Sequence, residues 1–330
     1  MMKNKFIKIL NFYKQFGFGF STKYFYYKIT KNDKKYIQHI YNYLIQDNND
    51  IILKYNNYNI FENENTQQKR KNRIPVWVCW WQGYEKMPAL CKMFYNRLKE
   101  MLPENAELIL ITLDNYLDYA SIPDVIRKKF EKGQITMTTY SDVLRNYLLR
   151  DNGGLWIDSS VFVSNYITKD FLSDKNWWSI NLFEKNTKIE NLGQKISERR
   201  WSGFLQKGVK NNILNSYLCD SFLHYYEKHD CTIDYFIQNF YIKIAYLNNP
   251  SIKKMIDSIP YNNWNVYSLY DNIDKSFDLE LYNKWRSNTC FYKMTQKREY
   301  KLYDANNQIT FYGMIKKICE NKEVINYDKK

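Results

Sequence analysis

The sequence predicts an α/β fold in which a Rossmann-type, mostly parallel sheet is flanked by helices and preceded by an N-terminal helical extension. The prediction starts from three consecutive runs: a β-rich apolar run at residues 76–81, apolar residues at helical spacing in 88–101, and a second apolar run at 107–112. A strand, a helix and a strand at this spacing form a βαβ unit with a parallel sheet. With 330 residues, of which 45% are apolar, the chain can bury a sizeable core.

The first 72 residues differ in character from the remainder, so we divide the chain into an extension with its linker (1–72) and a main domain (73–330). Residues 1–30 mix lysines with Phe, Ile, Leu and Tyr, and a second helical stretch spans 35–46. The polar, Asn-rich residues 48–68 are typical of a loop or linker.

Two interpretations of this extension stay open. A basic, aromatic segment could lie on an anionic membrane surface. Gly17 and Gly19 interrupt its amphipathic pattern, however, and this favours a helical pair that packs on the main domain.

A helix, a glycine turn and a buried strand follow near the middle of the chain. Apolar residues recur at helical spacing from residue 143 to 148, and Ser141 or Asp142 is suited to cap this helix. Gly153 and Gly154 end it, because glycine adopts positive φ without a steric cost. The short apolar run at 155–157 then predicts a strand.

Asp158 directly follows this strand. Open α/β sheets bind ligands at the carboxyl ends of their strands, so Asp158 is a candidate site residue. Elsewhere the pattern predicts a helix from 122 to 130, a strand at 177–182, an exposed polar loop at 186–200, and helices at 215–228 and from 232 to 247.

The chain is strongly basic, with a net charge of +14 and a pI near 9.2. An A- and T-rich gene would inflate Lys, Asn, Ile and Tyr together and explain this without function. A functional basic surface would instead attract anionic nucleotide sugars, anionic lipid or an acidic glycan.

The six cysteines are scattered without a C-x-x-C pair, which argues against a zinc site. No run approaches the roughly 20 apolar residues that cross a bilayer. Because the N-terminus lacks the apolar core of a signal peptide, we expect a cytoplasmic protein.

Two motifs lie close together in the central region, S-D-x-L-R from Ser141 and G-G-x-W-x-D-x-S from Gly153. Their pairing resembles the central motif of the capsular polysaccharide synthesis proteins, which group with the DXD-type glycosyltransferases that include yeast-type mannosyltransferases and the glucosylating clostridial toxins. The resemblance covers roughly residues 73–315 and implies a GT-A-like fold.

The resemblance also implies site residues on the donor side. Trp80, with Trp81 as the second candidate, would stack on the nucleotide base, although an aromatic residue in a core strand normally serves packing. Asp142, Arg145 and Asp158 are the candidate catalytic residues and would bind the ribose, sugar hydroxyls or phosphate. Their simpler roles would be a helix cap for Asp142, an ion pair between Asp142 and Arg145, and a turn residue for Asp158.

Gly154 is also assigned to the nucleotide-sugar site. On the acceptor side the resemblance indicates Trp201, Ser202 and Asp234. A helix cap is the simpler role for Asp234.

A complete D-x-D motif would place a second carboxylate at position 160, where this chain has Ser160. We expect Mg²⁺ or Mn²⁺ on Asp158 and Ser160, but a serine is a weak neutral ligand. The alternative is neutralisation of the donor diphosphate by cationic side chains, for which Arg145, Arg199 and Arg200 are available.

The resemblance therefore predicts a glycosyltransferase that moves a sugar from a UDP- or GDP-sugar to a glycan or lipid-linked glycan acceptor, with retention of anomeric configuration, in capsular polysaccharide synthesis. The enzyme would be cytoplasmic or peripheral on the inner face of the plasma membrane. One alternative is an inactive homologue that serves as a scaffold, suggested by Ser160. The other is a nucleic-acid-binding module, suggested by the charge, but the lysines are spread along the chain without a recognisable motif, so we expect no nucleic-acid partner.

Overall fold

A computed structural model of the chain describes residues 2–56, 73–183 and 191–320. The strands are β1 (Ile74–Cys79), β2 (Ala106–Ile111), β3 (Gly154–Ile157), β4 (Val161–Val163), β5 (Trp178–Ser179), β6 (Leu205–Gly208) and β7 (Phe291–Lys293). The helices are α1 (Met2–Phe16), α2 (Phe18–Ile29), α3 (Asp33–Asp47), α4 (Asn49–Asn56), α5 (Ala89–Met101), α6 (Tyr116–Tyr119), α7 (Asp124–Glu131), α8 (Met137–Asn152), α9 (Lys169–Ser173), α10 (Leu192–Ser197), α11 (Ile213–Lys228), α12 (Ile237–Asn248), α13 (Pro250–Asp257), α14 (Ser268–Asn272), α15 (Leu279–Arg286) and α16 (Phe311–Glu320).

The central sheet has the order β2-β1-β3-β6-β5. Strand β1 is parallel to both β2 and β3, whereas β6 is antiparallel to its neighbours β3 and β5. Of the described strands in this sheet, only β6 therefore runs against the others. The predicted fold class, a mostly parallel sheet flanked by helices and preceded by an N-terminal helical region, is confirmed and is compatible with a GT-A-like fold.

A second, two-stranded sheet pairs β4 with β7 in antiparallel register, with Val161 opposite Lys293. Strand β4 follows β3 after a turn in which the Val161 N–H donates to the carbonyl of Asp158. This pairing brings the C-terminal part of the chain against the end of β3.

The glycine turn between α8 and β3 is confirmed. Gly153 and Gly154 have φ of 72° and 99°, respectively. A Cβ atom on Gly154 would lie 2.1 Å from the carbonyl oxygen of Pro75 in β1. Glycine at this position therefore permits the close approach of β1 and β3.

Helix α8 begins earlier than predicted. The Thr136 hydroxyl accepts a hydrogen bond from the Thr139 N–H and caps the helix, so Ser141 and Asp142 lie in its second turn. The proposed capping role of these two residues is wrong, because Thr136 already supplies the cap.

The extension packs on the main domain, which confirms the helical-pair interpretation. The Tyr36 hydroxyl donates to the Asp234 carboxylate across 2.6 Å, and the Asn48 amide donates to the Tyr217 hydroxyl across 2.8 Å. Residues of α1–α4 and of α11 and α12 share one buried apolar cluster. The extension therefore contributes to the core of the main domain.

Two predicted loops contain helices. Helix α4 lies within the expected linker, where Ile52 and Tyr55 are buried, and residues 57–72 lie outside the described ranges. Helix α10 lies within the segment that was expected to be an exposed loop. Its residue Ile196 is completely buried, which explains why this part of the segment is ordered as a helix. The strand expected at 177–182 is shorter, and β5 spans two residues.

Among the helices of the described ranges, none combines the length and apolar character that a bilayer crossing requires.

Candidate functional site

A cleft of about 780 Å³ opens where β1 and β3 end. Residues after β1 (Trp80–Gln82) and β3 (Asp158–Ser160), together with α8, form one part of its lining. The opposite part comes from α10, from residues 201–204 and 235–239, and from the segment 293–297 after β7. The cleft thus lies at the carboxyl ends of parallel strands, as expected for an open α/β sheet.

Asp158 lies at the floor of this cleft with both carboxylate oxygens engaged. Oδ1 accepts a hydrogen bond from the Trp156 indole across 3.0 Å and lies 3.6 Å from Nη2 of Arg145. Oδ2 accepts from Nζ of Lys293 across 2.7 Å. The carboxylate is therefore held between two cations, and its side chain stays 30% exposed.

Lys293, at the end of β7, also reaches Ser160. Its Nζ donates to Ser160 Oγ across 2.9 Å and lies 5.1 Å from the centre of the Phe204 ring. Two backbone hydrogen bonds hold this segment in place, since Lys293 N–H donates to the Val266 carbonyl and Met294 N–H donates to the Ser160 carbonyl. Lys293 thus bridges the two positions of the incomplete D-x-D motif.

Arg145 projects from α8 and is buried. Its Nη1 donates to Asp142 Oδ1 across 2.8 Å and to Gln238 Oε1 across 2.9 Å. The guanidinium carbon lies 4.8 Å from the centre of the Trp156 ring. Its Nε–H has no hydrogen-bond partner among the described residues. The structure therefore contains the predicted ion pair between Arg145 and Asp142, and it shows that Arg145 also pairs with Asp158.

The environment shifts the pKa values of the two carboxyls in opposite directions. Burial raises the pKa of Asp142, and the Arg145 guanidinium only partly offsets this. Burial also acts to raise the pKa of Asp158, but the Lys293 ammonium, Arg145 and the hydrogen bonds from Lys293 and Trp156 outweigh it and hold that pKa below its ordinary value. Asp158 is thus an ionised anchor for two cations at neutral pH.

The two candidate tryptophans differ in their surroundings. Trp81 is buried, packs against Tyr140 with ring centres 5.4 Å apart, and donates its indole N–H to Ser141. Trp80 is half-buried at the cleft wall and donates its indole N–H to the Lys86 carbonyl. Trp80 is therefore the better candidate for stacking on a ligand.

Trp201 and Ser202 also line the cleft. Trp201 is buried, and the Ser202 backbone is tied to β5, since its N–H donates to the Ser179 hydroxyl across 2.9 Å. The next residue, Gly203, lies against Arg145: a Cβ there would be 3.3 Å from Nη1. This segment therefore packs directly against the cation.

Two predicted site residues lie outside the lining of the cleft. Gly154 is at the start of β3, at the opposite end of the strand from Asp158, and packs on Pro75. Asp234 is buried; it accepts hydrogen bonds from the Tyr36 hydroxyl and the Phe236 N–H. Both residues shape the fold, and the structure gives neither a path to a ligand in this cleft.

Lys293 and Gln238 were missed by sequence reasoning. Gln238 Oε1 accepts from both Arg145 and Asn146, which orients the cation. The signal for Lys293 was a lysine inside the short apolar segment from Phe291 to Met294, and its meaning depends on the pairing of β7 with β4.

The residues expected to hold Mg²⁺ or Mn²⁺ do not fit a divalent cation in this arrangement. The Lys293 ammonium occupies the space between Asp158 and Ser160 at hydrogen-bond distances, and a cation there would be repelled by it. Within the described residues, no group of three or more His, Cys, Asp and Glu side chains could hold a metal. Of the other proposed cations, Arg145 lines the cleft, whereas Arg199 and Arg200 do not.

Fold and cleft together define an α/β protein with a candidate ligand site at the carboxyl ends of parallel strands. The family described as "Capsular polysaccharide synthesis protein" matches residues 22–315. The chain belongs to this family, and the match begins within α2, well before the first shared motif. A search of curated proteins and a search of solved structures returned no match.

Proposed function

We propose that this protein is a glycosyltransferase of capsular polysaccharide synthesis, which transfers a sugar from a UDP- or GDP-sugar to a glycan or lipid-linked glycan acceptor. One observation carries the proposal: in a member of the capsule synthesis family, an ionised aspartate lies between two cations at the carboxyl end of a parallel strand and faces a cleft.

A nucleotide sugar presents a flat base, a ribose diol and an anionic diphosphate. Trp80 supplies an aromatic surface at the wall of the cleft, and Arg145 and Lys293 supply positive charge at its floor. The volume of the cleft lies within the range of small-molecule sites. Asp142 and Asp158 line the same cleft, and in this proposal their carboxylates accept hydrogen bonds from hydroxyl groups of the donor.

In the proposed reaction, the bond between the anomeric carbon and the diphosphate oxygen breaks, and its electron pair leaves with the diphosphate. The acceptor hydroxyl oxygen forms the new bond on the same face, and its proton passes to a diphosphate oxygen. Atoms and charge balance without an additional reagent. The protein contributes by orienting the reactants and by stabilising the charge of the leaving group.

The state of Asp142 and Asp158, the carboxylates in the described lining, favours this same-face route over one that uses a carboxylate nucleophile. Each is already paired with Arg145, and Asp158 also with Lys293, so neither is placed as an unpaired nucleophile. A mechanism in which the leaving phosphate takes the acceptor proton needs no such nucleophile.

A thermal-shift panel of UDP- and GDP-sugars tests the proposed donor class. A ligand that binds only the folded state stabilises it by RT ln(1 + [L]/Kd), which is about 2.7 kcal/mol at 100 Kd. We expect one nucleotide family to raise the unfolding temperature of wild type but not of Asp158→Ala. No shift with any donor would contradict the proposal and favour a scaffold without donor binding.

A further inference from the structure

We infer that Lys293 is a resident cation that binds the donor diphosphate in place of a divalent metal, so that donor binding is metal-independent. This inference rests on the proposed function of the same cleft. It is carried by the position of Nζ between Asp158 and Ser160, the two residues that would be expected to bind a metal.

The geometry fixes this ammonium firmly. Residue 293 is the last residue of β7, its backbone is hydrogen-bonded to Val266, and its side chain is only 24% exposed. An ammonium has three N–H donors. Asp158 and Ser160 accept two of them, and no acceptor among the described residues takes the third, which is therefore available to a phosphate oxygen.

Ser160 is explained by the same arrangement. A carboxylate at position 160 would give the cation a second negative neighbour and neutralise it locally. The neutral hydroxyl accepts a hydrogen bond from Lys293 without cancelling its charge. Among the described residues, Asp158 is then the one carboxylate within ion-pair distance of the Lys293 ammonium, and that carboxylate is shared with Arg145.

The experiment measures UDP- and GDP-sugar binding by titration calorimetry on the full chain, either in excess chelator or with Mn²⁺. For the wild type we expect the same affinity in both buffers. Lys293→Ala should lose at least about tenfold in chelator, which is the loss of one charge-assisted hydrogen bond. Lys301→Ala, which changes an exposed lysine outside the lining of the cleft, should match the wild type.

A metal-restoring variant keeps the inference falsifiable. In the double variant Lys293→Ala with Ser160→Asp the full D-x-D motif returns without the ammonium, so we expect binding that requires Mn²⁺. Circular dichroism verifies that each variant is folded. Wild-type binding that disappears in chelator and returns with Mn²⁺ would overturn the inference but leave the proposed function intact. No binding of any donor in either buffer would overturn the proposed function, and this inference with it.

A second, independent observation concerns the outer surface of α1 and α2. Residues 1–32 contain seven lysines (Lys3, Lys5, Lys8, Lys14, Lys23, Lys28 and Lys31) and no Asp or Glu. Large apolar side chains on these helices remain exposed although the opposite faces are packed in the core: Phe6 63%, Leu10 51%, Phe18 78%, Tyr26 61% and Ile29 79%.

The geometry points to an anionic phospholipid surface as the occupant of this face. Phe18, Tyr26 and Ile29 share one side of α2 at helical spacing, and the lysines supply charge complementary to lipid phosphates. Exposed aromatic and aliphatic groups beside lysines, without a single carboxylate in residues 1–32, are suited to the boundary between headgroups and acyl chains.

Sedimentation of the full chain with vesicles tests this surface. We expect binding to vesicles that contain phosphatidylglycerol, weak binding to phosphatidylcholine alone, and a decrease with added salt. The pairs Phe18→Ser with Ile29→Ser, and Lys8→Glu with Lys23→Glu, should each weaken binding at least about tenfold.

The control is Lys210→Glu with Lys254→Glu, which makes the same change in net charge at exposed positions elsewhere. If this control lost as much vesicle binding as Lys8→Glu with Lys23→Glu, the overall charge of the protein would explain the loss, and the proposal would be contradicted. Equal binding to both lipids, or none to either, would also contradict it.

Discussion

Replacing Arg145 with alanine should destabilise the protein by about 3 kcal/mol, because it leaves two carboxylates and a buried amide without their shared cation. The Arg145 side chain is 5% exposed, whereas those of Asp142 and Asp158 are 19% and 30% exposed. Breaking a buried ion pair costs about 3–5 kcal/mol, and the partial exposure of both partners places this loss at the lower end.

Thermal unfolding followed by circular dichroism measures the loss. For a chain of this size, about 2 °C per kcal/mol gives a decrease in Tm of about 6 °C. The matched control is Arg150→Ala on the same helix, whose Nε lies 2.7 Å from Asp151 and whose side chain is 23% exposed. Because Arg150 is more exposed than Arg145 and pairs with a single carboxylate, its removal should cost about 1 kcal/mol.

The deficit of the Arg145 variant should also depend on pH. Burial already raises the folded-state pKa of Asp142, and loss of the Arg145 guanidinium, which partly offsets this, raises that pKa further. A raised folded-state pKa stabilises the fold below the ordinary aspartate pKa of about 3.9, and this stabilisation is lost as the pH rises through the folded-state value. The difference in unfolding free energy between the wild type and the Arg145 variant should therefore decrease as the pH is lowered from about 8 toward about 5. Equal losses at Arg145 and Arg150, or a deficit independent of pH, would refute this reasoning.

Three further predictions separate residues of the fold from residues of the site. Gly154→Ala should lower the unfolding free energy measured by urea denaturation by at least about 3 kcal/mol, because a side chain there is strained at φ 99° and meets the neighbouring strand. The donor affinity of the folded protein should not change. A loss of affinity without a loss of stability would contradict this structural role of Gly154. Trp80→Ala should weaken UDP- or GDP-sugar binding about tenfold while the stability stays close to that of the wild type. Trp81→Ala should instead lower the unfolding free energy by about 3–5 kcal/mol. The reverse pattern would exclude Trp80 as the stacking surface. Tyr36→Phe should cost about 1–3 kcal/mol in urea denaturation, because it removes a donor from the buried Asp234 carboxylate; an unchanged midpoint would show that this bond contributes nothing to docking of the extension.

The parts of the fold that could be predicted from sequence are those with strong local periodicity. The β1–α5–β2 unit and the turn between α8 and β3 follow from apolar spacing and from Gly153 and Gly154, which act within a few residues of their position. Helix α4 was missed because only two of its residues, Ile52 and Tyr55, are buried in an otherwise polar stretch.

The residues of the candidate site also separate into those that a local sequence pattern predicts and those that only long-range pairing brings to the cleft. Asp158 could be found because a carboxylate at the end of an apolar strand is a local signal. Its partner Lys293 is 135 residues away in the chain and reaches it only through the pairing of β4 with β7. The bond from Tyr36 to the buried Asp234 spans 198 residues, and no local pattern indicates it. Long-range pairing therefore determines which motif residues face the cleft and which support the core.

Transfer of an isotopically labelled sugar from UDP- or GDP-sugars to lipid-linked glycan acceptors tests the central claim most directly. The assay compares wild type with Asp158→Asn, a variant of nearly the same size that lacks the anchoring charge. We predict incorporation of label with release of the nucleoside diphosphate, and a loss of at least about 100-fold in the variant, equal to about 2.7 kcal/mol in the barrier. A wild-type protein that binds a nucleotide sugar yet transfers nothing, or a variant that transfers as fast as wild type with the neutral amide in place of the carboxylate, would contradict the account.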